Sequence, residues 1–236
     1  MKKMTRKSIV FFFFILLISS SLASYANTSN RVQQAAQEGL IHFLGKIPVG
    51  SEKKYGFNSR QEFDWAFLGA PYELYTIHPD LLVSERPVGS GFLTPLEIWR
   101  FPVLSQGSMR TLLTVAKVEG EWKAVAIGGA GIAFELDRLE EIYSFDRNNT
   151  KRVLLRLFQI KSDFVSIGNL TQRIEETMFA PLQSARMQMR LGEAERIIYS
   201  LPELVLILQK KFKSVILDLP RDEQTKPRKD GKKKDK

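Results

Sequence analysis

The chain has 236 residues and no cysteine, which excludes thiol nucleophiles, disulfide staples and a cysteine-linked lipid anchor, so any fold rests on its apolar core. The formal net charge is +9, but Lys2, Lys3, Arg6 and Lys7 contribute +4 and residues 221–236 another +4, leaving +1 for residues 27–220. A body so nearly neutral lacks the basic footprint of a nucleic-acid binder.

Residues 1–26 combine a basic start, an apolar run from Ile9 to Ile18, and small residues at Ser24 and Ala26, the −3 and −1 positions of a cleavage site. The run is shorter than the roughly twenty residues that cross a bilayer. This pattern predicts a cleaved export signal and a soluble mature chain, periplasmic or extracellular, starting at Asn27; the alternative is an uncleaved membrane anchor. Helix caps at Asn27 to Asn30 precede Val32, Ala35, Ala36, Leu40, Phe43 and Leu44, whose spacing predicts an amphipathic helix ending near Gly45 and Pro48. After a polar loop at 49–58, Ser59-Arg60-Gln61-Glu62 has capping-box spacing, and a short second helix is expected up to Gly69. Tyr72 to Ile77 alternates as a strand. Between Leu96 and Gly128, three apolar runs are joined by Ser105-Gln106-Gly107-Ser108 and Glu119-Gly120-Glu121, the pattern of an antiparallel meander. Pro102 lies inside the first run, which predicts a sheet edge or a bulge there.

Residues 132–145 place Ile132, Leu136, Leu139, Ile142 and Tyr143 at helical spacing. Strands are expected at 152–160 and 163–167, then a helix from a cap at Asn169 to Gln172 up to Phe179. Residues 181–198 give no clear pattern. Ser200-Leu201-Pro202-Glu203 is a second capping box, followed by the apolar stripe Leu204, Leu206, Ile207, Leu208 and Phe212. Residues 221–236 carry no aromatic or aliphatic side chain, so 219–236 is read as a disordered basic tail and, functionally, as a weak electrostatic tether to a membrane or polymer. The order predicts one α+β domain at 27–218, an antiparallel β-meander sheet with helices packed on it.

The stretch AVAIGGAGIAFE, residues 124–135, invites comparison with a dinucleotide fingerprint. Counted from Gly129, the frame puts Phe134 where a small residue is required; counted from Gly128, the second glycine is missing. The acid expected about twenty residues on is replaced by Asn148-Asn149-Thr150. The glycines therefore read as a strand-to-helix corner. Gly128, Gly129 and Gly131 stand as a candidate anion site, because no side chain caps the helix that follows.

Other chemistry is sparse. His42 lies beside the first apolar stripe, and His78 with Asp80 offers two metal ligands but no third nearby. Ser51 and Lys54 match S-x-x-K without the elements that normally accompany it. The carboxylates Asp64, Glu73, Asp80 and Glu97 show no pairing in sequence. No cofactor, metal or nucleic-acid partner is expected. Trp65, Phe67, Tyr72, Tyr75, Trp99, Phe101 and Trp122 read first as core; Trp65, Tyr75, Trp99 and Trp122 are the candidates for a partner groove. The expected function is an exported, non-enzymatic binding or scaffold protein that recognises a protein, peptide or surface polymer through its sheet or the cleft between sheet and helices. The alternatives are a hydrolase of cell-wall or peptide material and a protease-inhibitor or propeptide-like module.

Overall fold

The computed structural model describes residues 29–84, 88, 89, 91–143, 151–167, 176–191 and 198–217, with side chains to residue 212. The expected signal and basic tail lie outside these residues. A helix at 29–45 (α1) is followed by 3₁₀ turns at Glu52–Tyr55 and Arg60–Trp65. Then come β1 (Phe67–Leu68), β2 (Tyr72–Thr76), α2 (Pro79–Val83), β3 (Thr94–Ser105), β4 (Ser108–Val118), β5 (Glu121–Gly128) and α3 (Ala130–Tyr143). The chain continues through β6 (Arg152–Leu157), β7 (Ser162–Ile167), β8 (Met178–Pro181), α4 (Gln183–Met189), β9 (Tyr199–Ser200) and α5 (Leu201–Leu217). The strands run in the order β5-β4-β3-β2-β6-β7-β8-β9, with β1 also on β3, in a mostly antiparallel sheet. Helices packed on such a sheet make this an α+β fold, as the element order predicts.

Two compact units share this framework: Met1–Leu74 with Pro95–Leu154, and Tyr75–Thr94 with Leu155–Lys236. In the first, α1 lays Val32, Ala35, Ala36 and Leu44 against Trp99, Phe101, Val103, Leu113 and Val115 of β3 and β4. Each fully buried large side chain of this kind is worth about 1.5–3 kcal/mol. The helix approaches β5 closely because residue 39 is glycine: a Cβ there would lie 2.1 Å from the Ala124 Cβ. The expected meander is present, with β4 antiparallel to both β3 and β5. Pro102 is not at an edge, since β3 lies between β4 and β2; the register instead shifts at Val103/Leu104, so the bulge reading holds. Its carbonyl accepts from the Gly69 N–H at 2.8 Å where β1 ends.

The second expected helix is a 3₁₀ turn that runs into β1. The Ser59 hydroxyl makes no cap, and Glu62 turns to Asn58 instead, four residues back, accepting from its backbone N–H at 3.3 Å and side-chain amide at 2.8 Å, while Arg110 of β4 pairs with its other oxygen. In the polar loop before it, Phe57 is buried. Helix α3 starts two residues early, at Ala130, and its buried face is Ala133, Leu136 and Glu140, whereas Phe134 is 60 % exposed.

The strand expected at 152–160 forms only as β6, Arg152–Leu157, and Phe158–Ile160 is a 3₁₀ turn; in the other unit β7 matches expectation. The helix predicted up to Phe179 is overturned where it is described: Met178–Pro181 is a strand, paired with β7 through Phe179↔Ser166 and with β9 through Phe179↔Tyr199. Its cap at 169–172 lies outside the described residues. The capping box at Ser200 forms as spelled: Glu203 Oε2 accepts from the Ser200 N–H at 2.9 Å and its hydroxyl at 2.8 Å. Helix α5 buries Leu201, Leu204, Val205 and Leu208. Among the described residues no helix is long and apolar enough to cross a membrane.

Candidate functional site

Every buried charge is a candidate for chemistry, because taking it from water has a cost that something must offset. In the first unit Tyr72, Glu140 and Arg152 are all buried. The Tyr72 hydroxyl donates to Glu140 Oε1 at 2.7 Å, and the Arg152 guanidinium pairs with the same oxygen. Arg152 also lies over the Tyr72 ring, 5.5 Å from its centroid. Burial first, and the negative charge of Glu140 second, push the Tyr72 phenol well above its ordinary range. It therefore stays protonated and serves as a fixed donor. A carboxylate held between a guanidinium and a phenol inside the core ties helix α3 to strands β2 and β6; it presents no reacting oxygen to a substrate.

The other acids are engaged in the same way. Glu62, 3 % exposed, lies 3.0 Å from Arg110 Nε at an angle too bent for a hydrogen bond, so that contact is an ion pair. Arg60 bridges Glu52 at 3.4 Å and the Ile47 carbonyl at 2.9 Å. A backbone N–H bond to Glu52, reinforced by Arg60, holds its carboxyl below the usual range. In the other unit Asp163 Oδ2 accepts from the Ser184 hydroxyl at 3.2 Å, and its Oδ1 lies 3.8 Å from Arg156 Nε. Among the carboxylates singled out in sequence, Glu73 pairs with Lys151 and Glu97 with Lys117, each at 2.8 Å, and Asp64 is exposed. His78 Nδ1 lies 3.4 Å from the Asp80 N–H and 3.2 Å from Asp80 Oδ2. It caps α2 when it carries no proton and pairs with the carboxylate when it does, so the two contacts are alternatives. His42 is exposed and set edge-on to Phe43. Among the described residues no three His, Cys, Asp or Glu side chains gather to hold a metal.

The glycine corner turns β5 into α3. Gly129 has φ of 80°, which favours glycine, and its carbonyl accepts from the Ala133 N–H at 3.0 Å in the first turn of the helix. A Cβ at residue 128 or 131 would meet nothing within 4 Å. The corner is thus open, and its shape needs glycine at both 128 and 129, whose φ values of 157° and 80° L side chains rarely adopt, more than at 131.

The four groove aromatics do not share one exposed surface. Trp99 and Tyr75 are buried, Tyr75 in the second unit; Trp65 is 68 % exposed; Trp122 is half-buried. Trp122 lines a cleft of about 370 Å³ with Arg31, Gln34, Ala35 and Glu38 of α1 and Gly120 and Glu121 of the β4–β5 turn. Residue spacing explains the lining. Positions 31, 34, 35 and 38 form one stripe of α1 beside its apolar face, and the hairpin turn brings Trp122 against it. Gln34 donates to Glu38 Oε1 at 2.8 Å, and Lys123 holds Glu121 at 3.0 Å. The second unit has a cleft of about 560 Å³ between α4, β9 and α5, but its wall runs to Leu191 and resumes at Tyr199, on either side of undescribed residues.

Compared with protein-family models, with curated proteins and with solved structures, the chain finds no match in any of the three. The cleft beside Trp122 is therefore read from its chemistry alone. Of its lining, sequence analysis named Trp122 but missed Arg31, Gln34 and Glu38. On a helical wheel they are an ordinary solvated stripe; only the arrival of the β4–β5 turn makes that stripe one wall of a cleft.

Proposed function

We propose that the protein is an exported, non-enzymatic binding protein that holds a peptide or protein segment in the cleft between α1 and the β4–β5 turn. The observation that carries this reading is the lining itself: an aromatic ring, a cation, an amide and a carboxylate converge on one open surface. The buried charges, by contrast, are engaged with one another. A peptide brings both signs of charge and an amide backbone, which Arg31, Glu38 and Gln34 can meet together. The hydrolase alternative needs two carboxylates acting as a pair, and Glu52, Glu62, Glu73, Glu97, Glu140 and Asp163 each face a cation instead. Export rests on the charge and hydropathy pattern of residues 1–26.

The test is NMR of the isotopically labelled chain, reading the Trp122 indole N–H and the amides of α1 during titration with a pool of blocked extended pentapeptides and, separately, with a neutral oligosaccharide. Peptides should move these signals, and Trp122→Ala should abolish the effect. Shifts confined to another surface, or a response to the oligosaccharide alone, would overturn the reading. For export, the mass of the chain recovered from its native host should correspond to a start at Asn27.

A further inference from the structure

The cleft carries more information than its existence. Arg31 is exposed and has no hydrogen bond or ion pair among the described residues. Glu38 accepts from Gln34 through Oε1, and among the described residues no cation pairs with it. Glu121 does not compete for Arg31, because Lys123 already holds it. Among the described residues the lining therefore presents one uncompensated cation and one uncompensated anion, with Gln34 orienting the latter.

Their separation follows from the helix. Residues seven apart return to the same face and lie about 10.5 Å apart along the axis, at 1.5 Å per residue. An extended peptide turns side chains to one face every second residue, about 6.6 Å apart, or about 13 Å for every fourth. The flexible arms of arginine and glutamate reach either spacing. Resting on the peptide-binding reading above, we infer that the cleft selects an extended segment with an acidic residue against Arg31 and a basic residue against Glu38, two or four positions apart on the same face. Trp122 takes the apolar body of the side chain beside them. A segment with two like charges meets repulsion at one end of the cleft, so the same pair of residues both attracts and discriminates.

The experiment uses the full chain and blocked pentapeptides with Asp and Lys two or four apart, the corresponding Asn/Gln peptides, and Lys/Lys peptides. The Trp122 indole shift gives each dissociation constant. The Asp/Lys peptides should bind about threefold to tenfold tighter than the neutral ones, the range that two exposed ion pairs supply. That preference should shrink in 1 M salt. Arg31→Glu, an exposed change whose fold is checked by unchanged core amide signals, should reverse the preference toward Lys/Lys. If the neutral peptides bind as tightly while still moving the Trp122 signal, the charge rule falls and peptide docking stands. If no peptide moves that signal, both fall. Retention of the Asp/Lys preference by Arg31→Glu would also overturn the rule.

Discussion

Glu140 is the residue with the most at stake in the first unit. It is 7 % exposed, and its oxygen is shared by the Tyr72 hydroxyl and the Arg152 guanidinium. Removing its charge leaves a buried cation without its counter-ion, a loss of about 3–5 kcal/mol, whereas Tyr72→Phe deletes one hydrogen bond to a charged group, about 1.5–3 kcal/mol. Urea denaturation of Glu140→Gln and Tyr72→Phe should thus show the larger drop in midpoint for the first; equal drops would mean that the ion pair contributes little beyond the phenol bond. Nothing in the sequence distinguished this acid. The stripe read from Ile132, Leu136, Leu139, Ile142 and Tyr143 did not include Glu140, and the face actually buried is rotated toward Ala133, Leu136 and Glu140. Only Arg152, twelve residues on in a separate strand, makes burial of the acid tolerable, and periodicity within one helix cannot see it.

At the scale of elements, the same four-residue spelling had two fates. Ser200-Leu201-Pro202-Glu203 caps α5, while Ser59-Arg60-Gln61-Glu62 yields a 3₁₀ turn because Asn58 and Arg110 capture the glutamate. A capping box is legible when its acid has no better partner; the first box had one, supplied by β4. The Ser200 N–H, foremost, and the Ser200 hydroxyl hold the Glu203 carboxyl below its usual range. Because the folded value is depressed, the contribution is complete above the unfolded pKa, about 4.3, and is lost as pH falls through the folded value. Ser200→Ala should cost about 1 kcal/mol at neutral pH. Glu203→Gln should lower the urea midpoint at pH 7, and its difference from the parent chain should narrow as pH is taken below 4.3; a constant difference would show that the charge plays no part. Packing between elements gives a sharper case. Gly39→Ala brings a Cβ to 2.1 Å from that of Ala124 and should destabilise by about 1–3 kcal/mol, and Ala124→Gly in the same chain should restore much of the loss. Additive losses in the double variant would show that α1 has shifted rather than clashed. The meander was legible because its turns, Gln106-Gly107 and Glu119-Gly120, adopt positive φ and join consecutive strands. Strand β8 was not: four residues long and paired with β7 and β9, it owes its state to partners distant in sequence, and its own composition suits a helix end equally well.

Across the whole molecule, charge is segregated. Residues 1–26 and 221–236 each carry +4 and the body between them +1, with its buried acids matched to Arg60, Arg110, Arg152 and Arg156. A basic total therefore says nothing of the body's surface, whose cleft sets Arg31 beside Glu38 and Glu121 instead of showing a field of one sign. Basic residues near an anionic surface contribute about 1 kcal/mol each at low salt, and this falls off within a Debye length. The tail should for that reason account for most of the attraction of the mature chain to anionic surfaces. Co-sedimentation with vesicles of neutral lipid doped with anionic lipid should show salt-sensitive binding of residues 27–236 and its loss in residues 27–220, while the urea midpoints and the Trp122 response to peptide stay the same in both. If the shorter chain still sediments with the vesicles, the body carries a surface patch that its net charge conceals, and the separation of tether from peptide cleft fails.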